Sequence, residues 1–144
     1  MVYLKIFLGL VLLIMVLFLL LGLKSQKGSP KGLVDGHLAP CPSSPNCVSS
    51  EAETQPEKLV EPLKATMEDV KNAIVELGGV ITTDSDEYVS ATFMSKIYKF
   101  VDDVELRPGE AGTVHIRSAS RVGYSDRGVN RKRVKAIRQI VEKK

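Results

Sequence analysis

The sequence predicts an α+β domain, an antiparallel sheet of four to five strands with two helices packed on one face, preceded by one N-terminal transmembrane helix. Three observations predict it. Ile6 to Leu23 is an 18-residue run without a charge. Two later segments carry apolar residues at helical spacing. Between them, four segments alternate apolar and polar residues and are joined by short turn-forming loops. The order is (β)-α-β-β-β-β-α; consecutive hairpins require antiparallel pairing, and two amphipathic helices cover one face of the sheet.

As a helix rising about 1.5 Å per residue, Ile6–Leu23 spans about 27 Å, enough to cross a hydrocarbon core. The run exceeds the ~7–15 apolar residues of a secretory signal, and no small-x-small cleavage site follows it. The run closes on Leu-Gly-Leu-Lys-Ser, with no Cys placed for lipoprotein processing. Residues 1–23 therefore read as an uncleaved anchor that meets the membrane through residues 6–23, with a cleaved signal as the alternative. Lys5 and the amine before the span nearly balance Lys24, Lys27 and Lys31 after it, so the positive-inside count leans only slightly towards a cytoplasmic domain. The cysteines argue for the opposite, extracytoplasmic (periplasmic) side. From Lys24 to Pro45 the density of Gly, Pro and Ser works against helix or central strand, so residues 24–45 read as a tether and 46–144 as one domain.

Within that domain Cys47 to Ser50 suits a short strand. Leu63, Met67, Val70, Ile74 and Leu77 form one apolar stripe, with Pro62 in the first turn and Gly78-Gly79 as a left-handed stop. Val80–Asp84, Tyr88–Met94, Ile97–Leu106 and Thr113–Arg121 alternate as strands, joined by loops at Met94-Ser95-Lys96 and Arg107 to Gly112. A final helix carries Val134, Ile137, Ile140 and Val141 inward.

Charge is segregated. Gly32–Ile116 holds 6 basic and 15 acidic residues, whereas Arg117–Lys144 holds 10 basic and 2 acidic. Opposite halves of one small domain attract each other. Matching the apolar faces of the last two strands requires paired residue numbers with an even sum. A sum near 220 places Val104 opposite Ile116, Asp102 opposite Ser118, and Phe100 opposite Ser120. On the other face it sets Asp103 against Arg117 and Glu105 against His115. Asp102 then points inward and needs a partner, for which Ser118, Ser120 and Arg121 are candidates.

Three stretches resemble a known family: Pro40-Cys41-Pro42-Ser43-Ser44-Pro45-Asn46-Cys47-Val48-Ser49-Ser50, then Phe100-Val101-Asp102-Asp103, then the run from Arg117-Ser118-Ala119-Ser120-Arg121 through Gly123-Tyr124 to Asn130-Arg131-Lys132-Arg133. The chain over residues 38–142 is similar to the domain-of-unknown-function family numbered 1499. Arg127 stands where that family has Leu. The resemblance implies a bacterial or plastid envelope-type protein and transfers no catalytic residue.

Cys41 and Cys47 lie close together in a Pro-rich loop. A disulfide is geometrically easy in an oxidising compartment, with free thiols as the alternative. His37 and Asp35 are near, but the spacing fits zinc ligands poorly, and neither metal nor cofactor is expected. Asp102 and Asp103 point to opposite faces of a strand and cannot share an ion. A triad of Asp102, His115 and Ser118 or Ser120 fails because His115 lies on the other face.

Arg131, Lys132 and Arg133 fall near the start of the last helix, where backbone donors attract anions and cations are disfavoured. Either acids of the domain, Asp102 first, or an external anion must offset them. Arg117, Ser118, Ser120, Arg121, Tyr124, Asn130, Arg131 and Arg133, with Asp102, are thus the expected structural network or anion-binding site. The functional expectation is a membrane-anchored binding or assembly module for a phosphate-bearing or other anionic ligand. The alternative is a hydrolase-like enzyme using Asp102 with Ser118 or Ser120. A near-neutral domain with few aromatic residues argues against nucleic acid, and no motif points to a protein partner.

Overall fold

The computed structural model describes residues 1–143. A 25-residue apolar helix, α1 (Val2–Gln26), comes first and extends past the uncharged run at both ends. Two short strands follow, β1 (Leu33–Val34) and β2 (His37–Leu38), then β3 (Cys47–Ser49) and β4 (Leu63–Lys64). Helix α2 (Met67–Glu76) leads into the meander β5 (Val80–Asp84), β6 (Val89–Met94), β7 (Val101–Pro108) and β8 (Thr113–Ser120), and α3 (Val129–Val141) closes the domain.

The main sheet has the order β3-β8-β7-β6-β5, antiparallel throughout, with β4 pairing beside β3 on β8. Its helix-facing side carries Val104, Leu106, Val114 and Ile116. Against them pack Val70, Ala73 and Ile74 of α2 with Val134, Ile137 and Val141 of α3. The α+β architecture with both helices on one face follows from that apolar face, as the alternation predicts.

Several boundaries move, each for a local reason. Helix α2 begins at Met67 rather than near Pro62, because the Thr66 hydroxyl accepts the Asp69 N–H (3.1 Å) as an N-cap. Leu63, expected on the helix stripe, is fully buried in β4 instead. Strand β7 starts at Val101, not Ile97: Lys99 adopts a left-handed φ of 56° and the preceding chain turns to meet α1. The β7–β8 turn closes over Gly109–Gly112, with Ala111 and Gly112 both left-handed. That tighter turn shifts the register by two residues, so Asp102 pairs with Ser120, Val104 with Ser118 and Glu105 with Arg117. The parity, and hence the face of every side chain, is as expected.

The largest correction concerns the tether. Residues 33–38 form a hairpin whose two-residue turn is Asp35-Gly36, both at positive φ, as a type I′ turn requires. Leu38 and Ala39 are buried, so this segment covers the second face of the sheet. The cover lies over β7 and β8; Met94 and Val80, towards the far edge of the same face, stay exposed.

Candidate functional site

On the helix-facing side, the alternation that buries Val104 and Leu106 also turns Asp102 inward at the end of β7. Arg133, one turn into α3, donates from Nη2 to Asp102 Oδ2 (2.7 Å). Its Nη1 reaches Asn130 Oδ1 (2.6 Å) and Ser118 Oγ (3.0 Å), while the guanidinium carbon lies 4.5 Å from the centre of the Phe93 ring. Ser118 donates to Asn130 Oδ1 (2.6 Å). Asn130, fully buried, keeps its Nδ2 within hydrogen-bond distance of the Asn46 carbonyl, Ser120 Oγ and Asp126 Oδ2. Asp102, Ser118, Ser120, Asn130 and Arg133 thus form one cluster.

The anion demanded by the basic start of α3 is internal. Asp126 accepts the N–H groups of Gly128 (2.9 Å) and Asn130 (2.7 Å), placing a carboxylate on the exposed backbone donors of the first turn. With Asp102 on Arg133, it offsets the local cations.

Arg117 and Arg121 belong elsewhere. Both lie on the opposite face, because β8 alternates. Arg117 Nη1 meets Glu105 Oε2 at 2.6 Å, and Arg121 grips Asp103 through Nε (2.8 Å) and Nη2 (2.7 Å). Arg131 donates to the carbonyls of Leu59 (3.1 Å) and Glu57 (2.6 Å), fastening α3 to the loop before β4. Tyr124 is exposed and outside the cluster. The nine residues therefore divide between two faces and a loop.

The second face holds acids that the charge count registers without placing. Glu105 accepts, besides Arg117, the Tyr88 hydroxyl (2.7 Å) and the Gly32 N–H (2.7 Å). Burial, and then the Glu105 carboxylate, push the Tyr88 phenol well above its ordinary range. Further along, Arg107 binds Glu51 through Nε (2.6 Å) and Nη2 (2.8 Å), and the Leu38 N–H adds a third bond (2.9 Å). Burial alone would raise the Glu51 carboxyl; the bonds from Arg107, Leu38 and His37 outweigh it and hold its pKa at about 2. His115 sits here too, beside Ser50 (3.2 Å) and remote from Ser118 and Ser120.

Two clefts open over this second face. One, of about 640 Å³, is lined by His37, Glu51, Arg107 and His115. The other, of about 830 Å³, lies beside Ser29, Lys31, Asn46, Asp103, Arg117 and Arg121. Arg117 Nε is a buried polar atom without a hydrogen-bond partner. Cys41, which lines both clefts, is joined to the buried Cys47 in a disulfide.

Fold and clusters together define a small α+β domain with one sheet face packed under two helices and the other covered over β7 and β8 by its own N-terminal segment, joined to an apolar N-terminal helix. The family model described as "Protein of unknown function (DUF1499)" matches residues 37–141, and the chain belongs to that family. The match begins at β2, within the segment expected to be a tether. No curated protein and no solved structure matches the chain.

Proposed function

We propose that the chain is a membrane-anchored module of the cell envelope, its domain on the extracytoplasmic side, that binds an anionic group such as a phosphate instead of catalysing a reaction. The length and apolarity of α1 support anchoring. The Cys41–Cys47 disulfide supports the oxidising side of the membrane.

The observation that carries the ligand class is the cleft beside Arg117. Its cations are Lys31, Arg117 and Arg121, the last two already paired with Glu105 and Asp103. Lys31 is exposed and makes no ion pair among the described residues, and the buried Arg117 Nε has a donor left over. An oxyanion with several acceptors suits that combination. The cleft also begins at Gly28, two residues beyond α1, which sets it close to where lipid headgroups would lie. The hydrolase reading has less support, since Asp102 is taken up by Arg133 and both serine hydroxyls by Asn130.

The test uses the full chain in detergent. Inorganic phosphate at a saturating concentration should raise the melting temperature by about 5 °C, the size expected when a ligand binds only the folded state. Lys31→Ala should leave the starting temperature unchanged and remove the rise; a rise that survives this change sinks the placement. In intact cells, a membrane-impermeant thiol reagent should label Cys41 and Cys47 only after reduction. Labelling that requires permeabilisation would reverse the orientation.

A further inference from the structure

The β6–β7 turn projects alongside α1. The rings of Tyr98 and Phe100 lie 5.2 and 6.1 Å from that of Phe18. A Cβ at Gly22 would overlap the Tyr98 carbonyl oxygen, so glycine is what lets helix and turn approach. The Val101 N–H donates to Ser25 Oγ (3.1 Å), and Arg121 Nη1 donates to the Ser25 carbonyl (3.3 Å). Ser25 is fully buried in this junction. The helix and the turn are therefore locked together in depth.

That lock supplies a ruler. Phe18 lies five residues before Leu23, the last residue of the apolar run, a distance of about 7.5 Å along the helix axis. A turn stacked on Phe18 sits below the polar end of the span. The side chains it presents fit that depth: Ile97 is 78% exposed and Met94 56% exposed, both apolar and uncovered by the domain. Lys96 and Lys99 flank them, and Lys24 stands in the last turn of α1. Apolar tip, aromatic rings and a collar of lysines are the composition of a membrane interface, where rings settle at headgroup level and lysines reach up to phosphates.

We infer that the β6–β7 turn, residues 94–100, is a second membrane contact, its tip inserted into the lipid beside α1 with Ile97 in the acyl region and Lys96 and Lys99 at the headgroups. The inference rests on the anchoring reading above. With two attachments the domain is held at a fixed orientation to the bilayer, not swung on a tether.

The chain contains no tryptophan, so single Trp substitutions report depth cleanly. Full-length Ile97→Trp, Leu20→Trp and Val75→Trp variants would be reconstituted in phosphatidylcholine vesicles with acyl chains brominated near the headgroup. Leu20 reports the anchor itself, and Val75, exposed on α2, reports the aqueous side. Ile97→Trp emission should shift to the blue and be quenched as strongly as that of Leu20→Trp, with Val75→Trp unaffected. Quenching of Leu20→Trp without quenching of Ile97→Trp overturns the tip insertion and leaves the anchor standing. Absence of quenching at Leu20→Trp removes the anchor, and the insertion with it.

Discussion

Glu105 and Arg117 face each other across β7 and β8 at 2.6 Å, the carboxylate fully buried and the guanidinium 4% exposed. With Tyr88, just before β6, and the Gly32 N–H bound to the same carboxylate, one acid ties β7 and β8 to the β5–β6 turn and the N-terminal segment. A buried pair contributes little beyond what apolar residues of the same size would give, yet breaking it strands a charge.

Arg117→Met should therefore lower the stability of the full chain by about 3–5 kcal/mol, because Glu105 is left buried without its counter-ion. The double variant Arg117→Met with Glu105→Gln should recover most of that loss, because the amide carries no charge and its oxygen still accepts from Tyr88 and Gly32. Urea denaturation in detergent measures both; a double variant as weak as the single one would show that the pair is worth its full Coulombic attraction.

Arg133→Ala should cost about 2–3 kcal/mol, the scale of charged hydrogen bonds lost from Asp102, Asn130 and Ser118. Arg133→Lys should restore less than half, since an ammonium cannot serve two acceptor groups in a fork while lying flat on Phe93. Full rescue by lysine would mean that charge alone matters at this position.

Glu51 makes stability depend on acid. Its carboxyl is held at about 2 in the folded chain against an ordinary value of 4.5. A depressed carboxylate stabilises the fold in full above pH 4.5, and the contribution disappears as the pH falls towards 2. The gap corresponds to about 3 kcal/mol. Glu51→Gln should be destabilised at neutral pH and approach the parent chain below pH 3. Parallel stability curves for the two proteins across that range would contradict the assignment.

Much of this was legible in the residues. The strand alternation placed Asp102 inward and Asp103 and Glu105 on the other side, and the stripe of Val134, Ile137 and Val141 located α3. The charge segregation forecast that the arginine-rich end would meet acids of the same domain. What escaped was long-range. Nothing local to Arg117 says that Glu105, and not an external anion, is its partner; that depends on which residues fall opposite in the hairpin. Phe93, on β6, and Asn46, in the loop before β3, complete the Arg133 and Asn130 contacts from afar and carry no pattern of their own. Asp35-Gly36 did offer a hairpin signal, but the surrounding glycine, proline and serine obscured it.

The short turn between β7 and β8 also settles a choice that greasiness leaves open. Sliding β8 by two residues along β7 returns every apolar side chain to its own side, and Arg117 would still face a carboxylate, Asp103 in place of Glu105. The bend separates the two alignments: with Ala111 and Gly112 both left-handed, Gly109 closes on Thr113 and leaves no slack for a longer loop. That bend acts as a vernier: oil decides which way each strand faces, and the corner between them decides where it stops.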